Sequence, residues 1–158
     1  MNILVSACFL GLRCRYDGQS KPNAAVFALR QAHTLVPVCP EQLGGLPTPR
    51  VPAERRGERF VNAAGADVTE AYRRGAAEAV KLAEALGCHF AVLKERSPAC
   101  GCGEIYDGSF THTLIPGDGA AAEALKRAGV TVVGESGAGA FFAEKSANLN
   151  IPDASGAE

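Results

Sequence analysis

Asn2-Ile3-Leu4-Val5-Ser6-Ala7-Cys8-Phe9-Leu10-Gly11 is the stretch from which the fold of this chain is read. Residues 2–6 form a short continuous apolar run, the pattern of a strand covered on both faces. Cys8 falls in the turn just past it. The same arrangement recurs twice. Leu35 to Val38 reads as a second strand ending at Cys39, and His89 to Leu93 as a third leading toward Cys100 in Ser97-Pro98-Ala99-Cys100-Gly101. An open α/β sheet gathers such turns at the carboxyl ends of its strands, where ligands bind. Three thiolates brought together there would hold a metal or an iron–sulfur cluster by three corners and leave the fourth position open.

The segments between these strands read as helices. Pro22 fixes the entry and Asn23 the cap of a helix over 24–32. Asp67 and Glu70 have capping-box spacing, and Val68, Tyr72, Ala76, Ala79, Val80, Ala83 and Leu86 form one apolar stripe that Gly87 closes. Asp118 caps a helix over about 119–128 that stops at Gly129. Val130 to Val133 is a fourth strand, and an Ala/Phe-rich helix near 138–147 follows. Residues 40–66 lack either period and are rich in Pro, Gly and Arg, so they are expected to form a functional loop, a lid or a binding wall. Strand–helix alternation predicts a single three-layer α/β domain over 1–149, with a mainly parallel sheet and helices on both faces, and a frayed tail over 150–158. No G-x-G-x-x-G or Walker-type run supports a nucleotide fold.

With 158 residues, 47% of them hydrophobic, the chain has enough apolar material for its own core. A net charge of −1 leaves no overall footprint for nucleic acid, and none is expected as a partner. The apolar runs fall far short of the ~20 residues that cross a bilayer, so no membrane is expected either. No basic segment precedes the apolar run at Met1, which is read as a core strand and not as a signal peptide. A cytoplasmic, reducing location follows as an expectation. Six cysteines could form three disulfides, but such frameworks belong to small secreted chains with poor cores.

Cys8, Cys39 and Cys100 stand 31 and 61 residues apart, unlike the closely spaced ligands of ferredoxins or the C-x-x-C knuckles of structural zinc sites. Spacing alone leaves two readings open, a site built into a pocket and three small buried hydrophobes. Glu41 lies two residues after Cys39, and Ser97 three before Cys100. If the cysteines ligate one centre, a carboxyl and a hydroxyl stand beside it, which is what proton transfer during a C–S bond exchange needs. The plainer alternatives are a surface carboxylate and a turn-forming serine.

Ser6-Ala7-Cys8-Phe9-Leu10-Gly11 with Cys14-Arg15-Tyr16-Asp17-Gly18, then Pro37-Val38-Cys39-Pro40-Glu41-Gln42-Leu43-Gly44-Gly45-Leu46-Pro47-Thr48-Pro49-Arg50, then Leu93-Lys94-Glu95-Arg96-Ser97-Pro98-Ala99-Cys100-Gly101, resemble the DUF523 family, which includes the 2-thiouracil desulfurases. The likeness runs on through Ile105-Tyr106-Asp107-Gly108 and Ile115-Pro116-Gly117-Asp118-Gly119. The resemblance implies a [4Fe-4S] cluster held by Cys8, Cys39 and Cys100, with one iron that no protein residue ligates and that takes the sulfur of a small thiolated nucleobase. Glu41 and Ser97 match its catalytic carboxylate and hydroxyl. The implied activity is a non-redox desulfurase converting 2-thiouracil or a related thiolated pyrimidine to the oxo form with release of sulfide. Cys102 departs from the family pattern, which often has a small residue there. Asp17 is a candidate acceptor for a substrate N–H, although Asp-Gly is first a turn signal. Cys14 could line the site but is read first as a buried structural thiol, as Cys88 is, and Arg50, Arg55, Arg56 and Arg59 are read as a solvated basic face, with recruitment of an anionic nucleotide the lesser reading. His33, His89 and His112 show no ligand spacing and take no role. A cluster- or zinc-binding regulatory module without turnover, and sulfur handling on thiolated tRNA, remain as rival readings.

Overall fold

The structure is a computed structural model that describes residues 1–149; the expected tail over 150–158 lies outside the described residues. Strand β1 (Asn2–Ser6) runs into a 3-10 turn over Ala7–Leu10, followed by α1 (Ala24–Ala28), β2 (Thr34–Val38) and α2 (Pro40–Leu43). A hairpin of β3 (Ala53–Arg56) and β4 (Arg59–Asn62) leads to α3 (Thr69–Ala85) and β5 (Phe90–Leu93). A second hairpin, β6 (Glu104–Tyr106) and β7 (Leu114–Pro116), precedes α4 (Ala120–Arg127), β8 (Thr131–Gly134) and α5 (Glu135–Leu149).

The main sheet has the order β2-β1-β5-β8 and is parallel throughout. Side chains alternate across it. Leu4, Ala91, Leu93 and Val132 face a core shared with Tyr72, Ala76 and Ala79 of α3 and Leu125 of α4, while Ile3, Val5 and Val92 face Val26 of α1 and Phe142 of α5. Both faces are therefore covered, which is why these strands read as unbroken apolar runs. Each fully buried aliphatic side chain here contributes about 1.5–3 kcal/mol by leaving water. The three-layer expectation holds.

Several local expectations are corrected. Asn23 does cap α1, its Oδ1 accepting from Val26 N at 3.0 Å, but the α-helix ends at Ala28 and continues as a 3-10 turn over Leu29–Gln31. Asp67 is not an N-cap. It pairs as an isolated bridge with Val61 and accepts from Thr69 N at 2.9 Å, so α3 begins at Thr69. Asp118 likewise stands before Gly119, the cap of α4, and its carboxylate instead binds Gly103 N and Lys126 Nζ. Residues 40–66 are not one loop, for they contain α2 and the β3–β4 hairpin.

The order of the strands creates the site. From β1 the chain moves to β2 on one side, then crosses to β5 on the other, so the loops leaving β1 and β5 diverge. Such a switch point opens a crevice at the carboxyl edge of a parallel sheet.

Candidate active site

Ser6 pairs with Val38 and Val5 with Val92, so β1, β2 and β5 end at one level and deliver their next residues to the same edge. Cys8 sits in the 3-10 turn after β1. Cys39 is the cap of α2, with Pro40 at its first helical position, where the missing N–H costs nothing. Cys100 lies in the turn after β5. Ser97 shapes that turn, its Oγ accepting from Ala99 N at 3.2 Å and Cys100 N at 3.1 Å. All three cysteines line one cavity of about 580 Å³, together with Glu41 and Ser97. All six cysteines are free thiols, so no disulfide scaffold exists.

The thiols feel one another. Cys14 also lines the cavity, its thiol set against those of Cys8 and Cys39. Its hydrogen bond holds the Cys8 thiol below the ordinary cysteine range. The Cys39 thiol is held far up by its bond to Cys14 and by burial, and its Sγ also faces Cys14 O at 3.7 Å. Burial pushes the Cys100 thiol up to about 12, against a hydrogen bond from Ser6 that lowers it. Ser6 is buried, its Oγ accepting from Lys94 N at 2.8 Å. Among the described residues no three His, Cys, Asp or Glu side chains form a site for a single metal ion.

Glu41 is held at both oxygens. Its Oε1 accepts from the Tyr72 hydroxyl and its Oε2 from Arg50 Nη2. Burial and the Glu41 charge together raise the Tyr72 hydroxyl well above its ordinary range, so it stays a donor. Arg50, read from sequence as part of a solvated face, has a side chain only 4% exposed. Arg55 is also inside, paired with Glu123 at 2.5 Å, whereas Arg59 stays exposed on Asp67. Charge runs do not reveal such burial. Tyr72 shows in sequence only as one member of a helix stripe, and its hydroxyl leaves no signal there.

The two hairpins build the far wall. Glu54 of β3 accepts from Gly108 N and Phe110 N, each at 3.1 Å, and so ties the β6–β7 loop across the cavity. His112, given no role in the sequence, lines that wall with its ring edge-on to Tyr106. Asp17 does not line the cavity. It closes a turn by accepting from Gln19 N at 3.0 Å and faces Arg15 Nε at 3.5 Å. Cys102 is turned away too, its Sγ directed at Val132 O at 3.5 Å, and Cys88 is core.

A parallel α/β domain that collects thiols, a carboxylate and a hydroxyl in the crevice at its switch point has the architecture of an α/β enzyme. The chain belongs to the 2-thiouracil desulfurase family, whose sequence pattern matches residues 3–137. Its fold also matches the solved structure of TudS, a [4Fe-4S]-dependent thiouracil desulfidase, with a TM-score of 0.86 and 44% identity over 92% of this chain and 98% of that one. YbbK of Bacillus subtilis (strain 168), an uncharacterized protein, is 41% identical over 144 residues, covering 85% of this chain and 95% of YbbK.

Proposed function

We propose that this chain removes sulfur from 2-thiouracil, or a related thiolated pyrimidine, with a [4Fe-4S] cluster held by Cys8, Cys39 and Cys100. One observation carries the reading: these three thiols line the same cavity as Glu41 and Ser97. The donor set fits the cofactor. Cysteine sulfurs are the usual ligands of such clusters, and we assign the three that follow strand ends, Cys8, Cys39 and Cys100, leaving Cys14 in the same cavity as their neighbour and one iron without a protein ligand.

When bound, the cluster supplies a Lewis-acidic iron that takes sulfur. The net change is hydrolytic: C=S and water become C=O and hydrogen sulfide, with no electrons exchanged. Two protons must therefore travel from the water to the departing sulfur. Glu41 accepts a proton from the water that provides the new oxygen. Ser97 already accepts two backbone N–H groups at Oγ, so its own O–H is available to donate toward the substrate. Asp17 enters only through Arg15, which it faces at the cavity wall. Free thiols throughout support a reducing, cytoplasmic setting. Among the described residues no helix is long and apolar enough to cross a membrane.

The test is anaerobic reconstitution with iron and sulfide, metal analysis, and assay of 2-thiouracil for uracil and free sulfide. Protein carrying four irons that releases neither product from 2-thiouracil or other thiolated pyrimidines would sink the reading and favour a module without turnover.

A further inference from the structure

Glu41 sits on a helix of only four residues, yet its carboxylate is fixed by two side chains from outside that helix. Tyr72 comes from α3. It is 2% exposed, and its ring lies flat on Phe60, with centroids 4.7 Å apart and planes 5° from parallel. Arg50 comes from the segment before β3. Besides Glu41 it reaches Cys14 O at 2.9 Å, Pro47 O at 3.3 Å and Thr48 Oγ1 at 3.4 Å.

We propose that Tyr72 and Arg50 are positioning residues, which lock both oxygens of Glu41 in the orientation from which it takes a proton from the water that attacks the thiocarbonyl carbon. The inference rests on the role given to Glu41 above. Two features separate it from plain packing. A buried ion pair is weak evidence for stability, because apolar residues of similar volume often do as well or better, so its place beside the cavity calls for another reason. Both anchors also act as donors to Glu41. Each carboxylate oxygen keeps lone-pair capacity for a water or a base, and Arg50 has no acceptor that could take the proton away. The anchors orient the carboxylate without competing for its proton. Contact between α2 and α3 makes this geometry possible: a Cβ at Gly44 would stand 2.0 Å from Ala71 O, and one at Gly75 would stand 1.8 Å from Pro40 O. Only glycines admit so close an approach.

The experiment uses anaerobically loaded protein as wild type, Tyr72→Phe, Glu41→Gln, the Tyr72→Phe/Glu41→Gln double variant, and Arg50→Lys. Tyr72→Phe keeps the ring on Phe60 and removes only the hydroxyl. Misorientation of a reacting group lowers rate by about 10–10²-fold, and that is the loss expected in kcat for Tyr72→Phe and Arg50→Lys. KM for 2-thiouracil, iron content and the half-saturation of the thiouracil-induced absorbance change should stay at wild-type values. In the Glu41→Gln background, Tyr72→Phe should cost nothing further, since coupled residues are non-additive. A wild-type kcat in Tyr72→Phe beside a slow Glu41→Gln would overturn this inference and leave the desulfurase reading standing. Equal losses from Tyr72→Phe in both backgrounds would also overturn it, for the hydroxyl would then act elsewhere. A fast Glu41→Gln would instead remove the role of Glu41 itself, and this inference with it.

Discussion

Ser97 performs two tasks with one oxygen. As an acceptor it holds the turn that carries Cys100, and from its place on the cavity wall it is the donor we propose. Ser97→Ala removes both, but Gly101 N still closes the turn on Ser97 O at 2.7 Å. We expect the variant to keep its iron and to lose about 10²–10⁴-fold in kcat, the usual cost of a positioned proton-transfer group. An unchanged rate at full iron content would reduce Ser97 to a turn residue. Among the thiols, Cys8→Ala, Cys39→Ala and Cys100→Ala should each abolish the visible absorption of the reconstituted protein, whereas Cys88→Ala and Cys102→Ala should retain it. Retention in Cys39→Ala would contradict the ligand assignment. Cys8, Cys39, Cys100, Glu41 and Ser97 could be singled out in the sequence because each lies close to the end of an apolar run. Ser6, Tyr72 and Arg50 could not, and Cys14 could be named only as a thiol that could line the site. Their places in the site depend on contacts between segments far apart in the chain, such as Cys14 with Cys39 and Arg50 with Glu41.

Individual elements differ in how openly the sequence declares them. The sheet strands are legible because burial on both faces leaves an apolar run, and Gly87 and Gly129 mark helix ends through left-handed φ angles of 60° and 88°. The two hairpins are hidden: Glu54 is buried by its partners across the cavity, not by apolar character. Packing of α2 on α3 gives a direct prediction. Gly75→Ala should force these helices apart, costing about 1–3 kcal/mol as overpacking does, and should lower cluster occupancy by displacing Cys39. Gly139→Ala in α5, with nothing within 4 Å of the added carbon, should leave both unchanged or slightly improved. If the two variants melt and load alike, the close approach is not a constraint. At the start of α3, bonds from Thr69, with help from Arg59, hold the Asp67 carboxyl at about 2, below its ordinary 3.8. A depressed carboxyl stabilises the fold above its unfolded value, and that contribution disappears as pH falls from about 3.8 to about 2. Asp67→Asn should therefore have a lower urea midpoint at neutral pH, with the difference vanishing near pH 2. Parallel midpoints across that window would refute it.

For the molecule as a whole, a body bonded to Cys8, Cys39 and Cys100 would tie β1, β2 and β5 together at one edge. Binding to the folded state alone raises stability by mass action, and for a chain of this size the melting temperature should rise on the order of 5–10 °C on loading. Scanning calorimetry of loaded and chelator-stripped protein measures this, and coincident melts would mean that the thiols do not share one ligand. The same placement also governs the order of events during synthesis. A ribosome that has delivered Cys8 and Cys39 has made only one edge of the sheet, because β5, on the other flank of β1, is still to come. The third thiol comes only with residue 100, 61 residues after Cys39. Delivery of a cluster to a nascent chain that ends before residue 100 would find Cys8 and Cys39 with nothing to complete them.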